Sequence, residues 1–239
     1  MPRQLEVCVD DAAGLAAAVA GGADRIELCS ALAVGGLTPS PGLMALAAEA
    51  QVPVYAMIRP RAGDFVYSLA DVSQMENDIR TVAGFGLNGI VIGASLPDGT
   101  LDASLLGHLL SIAAGLPATL HRAIDLAPDL EKAMETAIGL KFERILTSGG
   151  AVTALEGLDN IVDLHGKAQG RIGIMPGSGI TAENVGALLD ALPGADIHAS
   201  CSSPGPLPAA RVLALGFAAG PLKRTDPEKV RALKARISS

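Results

Sequence analysis

Aromatic side chains are scarce in this chain. Its 239 residues include no tryptophan, two tyrosines and four phenylalanines. Proteins that stack a nucleobase or a flavin ring usually do so on aromatic faces, so the scarcity gives such ligands little support. Phe65 and Tyr67 are the one close aromatic pair, in "GDFVYS", where they are expected to cap a pocket. The sequence therefore indicates no organic cofactor.

Cysteines and long apolar runs are also lacking. Cys8, Cys29 and Cys201 are too few and too widely spaced for a disulfide framework, and none lies in a recognisable zinc motif. No apolar run approaches the roughly 18 residues of a membrane helix. The first residues, "MPRQLEV", lack the apolar core of a signal peptide. We therefore expect a cytoplasmic protein with reduced thiols and no membrane partner.

Basic residues are in deficit. Lysine and arginine number 18 against 25 acidic residues, which gives a formal net charge of −7. Nucleic acids and anionic membranes are bound by basic surfaces, so neither is the expected partner. A small anionic ligand is an expected partner, as are further copies of the chain, with a dimer favoured.

Short β-type runs alternate with amphipathic segments along the whole chain, which is typical of a parallel sheet built from βα units. Eight such units in about 240 residues predict a single-domain (β/α)8 barrel over residues 1–239. A doubly wound sheet is the alternative, but "CVDDAAGLAA" lacks its Gly-rich phosphate fingerprint. The predicted strands are "LEVCVD", "DRIELCS", "VPVYAMIRP", "GIVIGAS", "PATLHRAID", "FERILTSGG", "RIGIMPGSG" and "DIHAS". The predicted helices are 11–20, 40–50, 70–85, 102–115, 128–139, 154–169, 181–192 and 226–237.

Two strands place a carboxyl and a thiol on one face. In "LEVCVD" these residues are Glu6 and Cys8, and in "DRIELCS" they are Glu27 and Cys29. One face of a barrel strand packs on the helices and the other points inward. We expect these four side chains to point inward near the strand ends, with the two thiols at similar heights.

The same alternation brings more polar residues inward. It selects Arg59 and Arg61 in the third strand, His121 and Asp125 in the fifth, and His198 in the eighth. Buried charges need partners, so we expect a Glu–Arg–His network at the barrel mouth, with Arg59 paired to a glutamate. For any one of these residues, a structural ion pair or a satisfied core histidine is the alternative.

Two Gly-rich strand ends suggest an anion site. Ser148 and Gly149 lie in "ILTSGG", and Gly177, Ser178 and Gly179 lie in "MPGSGI". The second motif runs into a predicted helix with Thr181 as N-cap, and barrel phosphate sites are commonly built around the last loops. Ordinary turn formation by glycine is the alternative.

Ordered motifs along nearly the whole chain resemble the CutC family, named for copper homeostasis. They are "LEVCVD", "GGADRIELCS", "GGLTPS", "MIRPRAGDFVYS", "GIVIGA" followed by "DG", "HRAID", "FERILTSGG", "ALEG" and "MPGSGI". The resemblance implies a (β/α)8 barrel and Cu(I) binding through Cys8 and Cys29. Small departures are Leu120 where an aromatic residue is common, Asp71 where glutamate is usual, and the additional Cys201.

Two functions remain open. In the first, Cys8 and Cys29 bind Cu(I), a soft ion that prefers sulfur, with Met57 as a weak third ligand. In the second, the barrel is a lyase, isomerase or hydrolase acting on a small anionic metabolite, phosphorylated or not. A scaffold protein with a relict site is a duller third alternative. The candidate catalytic residues are Glu27, Arg59, Arg61, His121, Asp125 and His198.

Overall fold

The computed structural model describes residues 3–238 and contains the predicted barrel. Eight parallel strands pair in the order β7-β6-β5-β4-β3-β2-β1-β8, so that β7 and β8 meet at the seam of a nearly closed barrel. The strands are β1 (Leu5–Val9), β2 (Arg25–Leu28), β3 (Val54–Met57), β4 (Gly89–Ile92), β5 (Ala118–Leu120), β6 (Arg144–Thr147), β7 (Gly173–Pro176) and β8 (Ile197–Ala199).

Helices follow the strands on the outside of the barrel. They are α1 (Ala12–Gly21), α2 (Pro41–Ala47), α3 (Leu69–Gly84), α4 (Ala103–Ile112), α5 (Leu130–Gly139), α6 (Leu158–Ala168), α7 (Val185–Ala191), α8 (Ala210–Ala214) and α9 (Pro227–Ser238). An antiparallel hairpin of β9 (Ser202–Pro204) and β10 (Lys223–Thr225) encloses α8. The last helix predicted from the sequence, 226–237, therefore corresponds to α9, which follows this hairpin.

The seventh helix begins later than the sequence predicts. α7 starts at Val185 with Asn184 as N-cap, whereas Thr181 was expected to cap a helix from that position. The Asn184 side chain accepts a hydrogen bond from the backbone N–H of Thr181 and donates to the carbonyl of Gly179. These contacts hold residues 181–184 in a turn before the helix.

Strand alternation separates an apolar layer from a polar one. Leu5, Val7 and Val9 are fully buried in the core between the sheet and the helices. α3 contributes Met75, Ile79 and Val82 to this layer, a spacing that places them on one helical face.

The opposite strand face fills the barrel interior with polar and aromatic side chains. Arg25 and Arg144 lie over the ring of Tyr55, with their guanidinium carbons 5.7 and 4.8 Å from its centroid. Arg144 also donates to the hydroxyl of Thr119. This packing fills the barrel interior, so the cavity described below lies at the carboxyl ends of the strands.

Long apolar helices are missing from the described part of the chain. None of the helices within residues 3–238 is long and apolar enough to cross a membrane.

Candidate functional site

A cavity of about 1050 Å³ lies at the barrel mouth. This is the end at which (β/α)8 enzymes build their active sites. Phe65 lines this cavity, whereas Tyr67, which was expected to cap it as well, packs against the hydrophobic core. Its polar and ionisable lining includes Cys8, Asp10, Asp11, Glu27, Arg59, His121, Arg122, Ser178, Thr181, Glu183, His198, Cys201, Lys223, Arg224 and Lys229.

Three buried side chains in the cavity lining bring metal-binding atoms together. The Cys8 sulfur, a carboxylate oxygen of Glu27 and a ring nitrogen of His198 all lie within 4.8 Å of one another. Strand pairing explains this arrangement, because Cys8 is the register partner of Glu27. On the other side of β1, Glu6 is the register partner of His198. We call Cys8, Glu27 and His198 the mouth cluster.

Glu6 fixes the orientation of His198. The His198 Nδ1 atom lies 2.8 Å from Glu6 Oε1, and Arg25 Nε donates to the other carboxylate oxygen at 2.5 Å. Burial opposes ionisation of Glu6, but hydrogen bonding to His198 and the charge of Arg25 lower its pKa to about 2. An ionised carboxylate only accepts, so Nδ1 carries the proton and Nε2 faces the mouth cluster.

Arg25 completes the Glu–Arg–His network and was not identified from the sequence. It lies two residues before Glu27 on the same strand face, so the alternation could have identified it. Its guanidinium also approaches Asp196 and the sulfur of Met175, each at 3.3 Å. Arg25, and not Arg59, is the arginine that neutralises Glu6.

Glu27 and His198 in the mouth cluster have shifted protonation equilibria. Burial raises the pKa of Glu27, whose Oε1 atom has no hydrogen-bond partner. Burial alone would lower the pKa of His198, but the acidic groups of Glu27, Cys8 and Glu6 outweigh it and raise that pKa well above its usual value. A metal ion binding here would displace the proton from Nε2.

Cys29 lies apart from the mouth cluster. The expectation that both thiols lie at one height is wrong, because the register pairs Cys8 with Glu27 and leaves Cys29 two residues further on, just past the end of β2. Its sulfur donates to Glu27 Oε2 at 3.5 Å, and it packs against Met57 and Tyr55. Cys29 is fully buried, and burial raises its thiol pKa well above the usual value.

The two predicted arginines of the third strand lie in different environments. Arg59 is buried and lines the cavity, but it donates to backbone carbonyls and forms no ion pair with Glu27 or Glu6. Arg61 is 38% exposed, outside the cavity lining, and pairs with Asp64. β3 ends at Met57, so strand alternation no longer controls position 61.

His121 and Asp125 also lie in different environments, because both follow the end of β5. β5 ends at Leu120, and residues 122–126 form a short 3-10 helix. His121 is buried in the cavity lining. Asp125 instead accepts hydrogen bonds from the backbone N–H groups of Ser148 and Gly150 and from the hydroxyl of Thr147. Asp125 therefore organises the loop after β6.

The Gly-rich loops already use several of their donors. Gly149 donates its N–H to the hydroxyl of Thr147, and Gly177 donates to the Thr147 carbonyl. A side chain at Gly177 would come within 2.5 Å of Leu146 and 3.3 Å of His198, so glycine lets this strand end approach the mouth cluster. Ser178 and Gly179 line the cavity. An anion site at these loops stays a prediction.

His121 is expected to make the protein acid-sensitive. Burial and the charge of Arg59 lower its pKa from 6.5 to about 3, so the unfolded chain takes up this proton first as the pH falls. The stabilisation present above pH 6.5 should be lost progressively toward pH 3, by at most about 1.4 kcal/mol per pH unit. Urea unfolding at several pH values should give a shallower pH dependence for His121→Asn. His165→Asn, on α6 and outside the cavity lining, should retain the parent's dependence, and equal slopes for all three proteins would contradict the assignment.

A family model and individual relatives identify the same protein family. The CutC family model matches residues 3–203. A family protein CutC from Rhizobium meliloti (strain 1021) is 59% identical over 235 residues, covering 98% of this chain and 96% of that protein. The human copper homeostasis protein cutC homolog is 43% identical over 239 residues, covering 97% of this chain and 88% of that protein.

A solved structure agrees with these matches. The crystal structure of a CutC from Streptococcus agalactiae is 33% identical, covers 84% of this chain and 99% of that one, and has a TM-score of 0.79. The family model spans β1 to β8, the strands that carry the cavity. The chain belongs to the CutC family.

Proposed function

We propose that the protein takes part in copper homeostasis by binding Cu(I) at the barrel mouth, with Cys8 Sγ and His198 Nε2 as its ligands. The single observation that carries the proposal is the mouth cluster, in which the Cys8 sulfur, a ring nitrogen of His198 and a carboxylate oxygen of Glu27 lie within 4.8 Å of one another. The family name and the name of the human relative supply the choice of copper.

The donor chemistry favours a monovalent soft ion. Thiolate suits Cu(I) and imidazole suits copper in general, whereas carboxylate oxygens suit harder ions. Burial raises the pKa of Glu27, so its carboxyl holds its proton more readily than an exposed one. One thiolate then balances the single charge of Cu(I), and the site needs no further anion.

Glu6 orients His198, one of the two proposed ligands. A histidine ligand commonly donates its second ring N–H to a carboxylate, which fixes the ring and makes the ligating nitrogen more basic. Glu6 occupies that position at 2.8 Å from His198 Nδ1, and Arg25 holds Glu6 in turn. The imidazole is thereby positioned before any ion binds.

Access also favours Cys8 over Cys29. Cys8 and His198 line the cavity at the barrel mouth, so an ion delivered from outside can reach them. Cys29 is fully buried among Tyr55, Met57 and Val91. It is also partnered by Glu27, so copper would have to displace a protein contact to reach it.

An anaerobic titration against a Cu(I) chelator tests the proposal. The parent protein should withdraw one Cu(I) per chain. His198→Asn should lose most of this affinity because it removes a ligand, while His108→Asn, at an exposed position, should behave as the parent. Glu27→Gln should retain most of the affinity. Binding that is absent, or unchanged by His198→Asn, would overturn the proposal.

A further inference from the structure

Arg59 and His121 carry unused hydrogen-bond donors in the wall of the same cavity. Both side chains are buried and line it. Arg59 Nε and His121 Nε2 are closed off from solvent, and neither has a partner within residues 3–238. Buried polar groups are nearly always hydrogen-bonded, so two exceptions among the residues that line one cavity require an explanation.

The proton on His121 can be placed. Ala123 donates its backbone N–H to His121 Nδ1 at 3.1 Å, so Nδ1 is the acceptor of the neutral ring. The other nitrogen, Nε2, must then carry the hydrogen. With a pKa lowered to about 3, the ring stays neutral near pH 7 and offers this single N–H as a fixed donor.

Arg59 is a buried cation without a balancing carboxylate among the described residues. Its Nη1 donates to the carbonyls of Val34 and Gly36 at 2.9 and 3.0 Å, and Nη2 donates to Gly63 at 2.8 Å. A guanidinium has five N–H groups, so two remain, one of them on Nε. The carbonyls hold the guanidinium in place but leave its charge uncompensated, which is costly in a buried position.

The Phe65 ring lies close to both side chains. Its ring centroid lies 5.0 Å from the guanidinium carbon of Arg59 and 4.8 Å from the ring centroid of His121. Phe65 is only half-buried and follows Gly63, whose φ of +94° lies in the region that favours glycine. A ligand from the cavity could reach the two donors once this ring moves aside.

We propose that Arg59 and His121 form a subsite for the carboxylate group of a small organic anion, with Phe65 as its movable cover. A carboxylate carries one negative charge and two acceptor oxygens, which match one guanidinium charge and the neutral imidazole N–H. A phosphate dianion would leave a negative charge in excess. This inference goes beyond the copper proposal and does not depend on a metal ion, because none of the three residues belongs to the mouth cluster.

Acetate is the probe that tests the subsite on metal-free protein. Acetate should raise the melting temperature of the parent saturably, because it binds the folded state. It should also shift the NMR signal of the His121 Nε2–H group. Inorganic phosphate at equal ionic strength should have the smaller effect. Phe65→Leu should tighten acetate binding, because a smaller side chain covers the donors less.

Matched arginine variants make the test specific. Arg59→Met should abolish the acetate response, while Arg61→Met, two residues away and outside the cavity lining, should retain it. His121→Leu should also lose the response, and this variant carries the test if Arg59→Met does not fold. A parent protein without a saturable response, an equal response in both arginine variants, or a stronger response to phosphate would overturn the inference. None of these outcomes would bear on the copper proposal.

Discussion

Cys8→Ser is expected to lower Cu(I) affinity far more than Cys29→Ser. Loss of an outer-shell partner typically costs a metal site about 10- to 100-fold in affinity. Loss of a direct sulfur ligand should exceed that, because a hydroxyl is a hard and poor ligand for a soft ion. Cys29 lies outside the mouth cluster, so its replacement should change the affinity by less than about tenfold. Competition with a Cu(I) chelator under anaerobic conditions measures both values.

The two serine variants control for each other. Both replace a buried thiol on neighbouring strands, so a general loss of packing would affect them alike. Equal losses of Cu(I) affinity in two variants that keep the parent's free energy of unfolding would instead favour the paired-thiol site that the sequence suggested. A Cys8→Ser variant that binds one Cu(I) as tightly as the parent would show that Cys8 is only a core residue.

Arg25→Met is expected to destabilise the fold strongly. The variant leaves Glu6, a fully buried carboxylate with a pKa of about 2, without its guanidinium partner. Removing one member of a buried pair typically costs about 3–5 kcal/mol, and a loss at the lower end is expected here because His198 still hydrogen-bonds to Glu6. The free energy of unfolding in urea should fall by this amount at neutral pH.

An exposed pair and a double variant complete this experiment. Arg231→Met breaks an ion pair with Glu228 on the exposed face of α9, which should cost far less stability than loss of the buried pair. Adding Glu6→Gln to Arg25→Met removes the unpaired charge and should recover part of the stability. A loss below about 1 kcal/mol for Arg25→Met would mean that Glu6 is not held as an ion in the folded protein.

The fold could be predicted from the sequence because its periodicities are local. Alternating apolar residues mark each strand, and Ala- and Leu-rich segments follow, so eight βα units can be counted without knowing any contact. The same alternation correctly placed Glu6, Glu27 and His198 inside the barrel. The alternation of residues along one strand is enough to decide whether each of these side chains points into the barrel or toward the helices.

Register between strands could not be predicted in this way. Parity places Cys8 and Cys29 on the same inward side, but the stagger of neighbouring barrel strands decides which residues are level. The structure pairs Cys8 with Glu27, so the cluster contains one thiol, one carboxyl and one imidazole. His198 enters this cluster because β8 pairs with β1 across most of the sequence.

Strand ends limited the remaining site predictions. Arg61 lies four residues beyond the end of β3, and Asp125 lies five residues beyond the end of β5. The chain has turned at both positions, so strand alternation no longer predicts where these side chains point. Arg59 lies only two residues beyond β3 and still lines the cavity. Its backbone carbonyl partners come from loops, which no side-chain pattern in the sequence could indicate.

X-ray absorption at the copper edge, on anaerobically prepared protein loaded with one Cu(I) per chain, tests the central claim most directly. Binding through Cys8 and His198 predicts one sulfur scatterer together with nitrogen from an imidazole, and Cys29→Ser should give the same spectrum. Two sulfur scatterers in the parent, reduced to one by Cys29→Ser, would contradict this account and support the paired thiols.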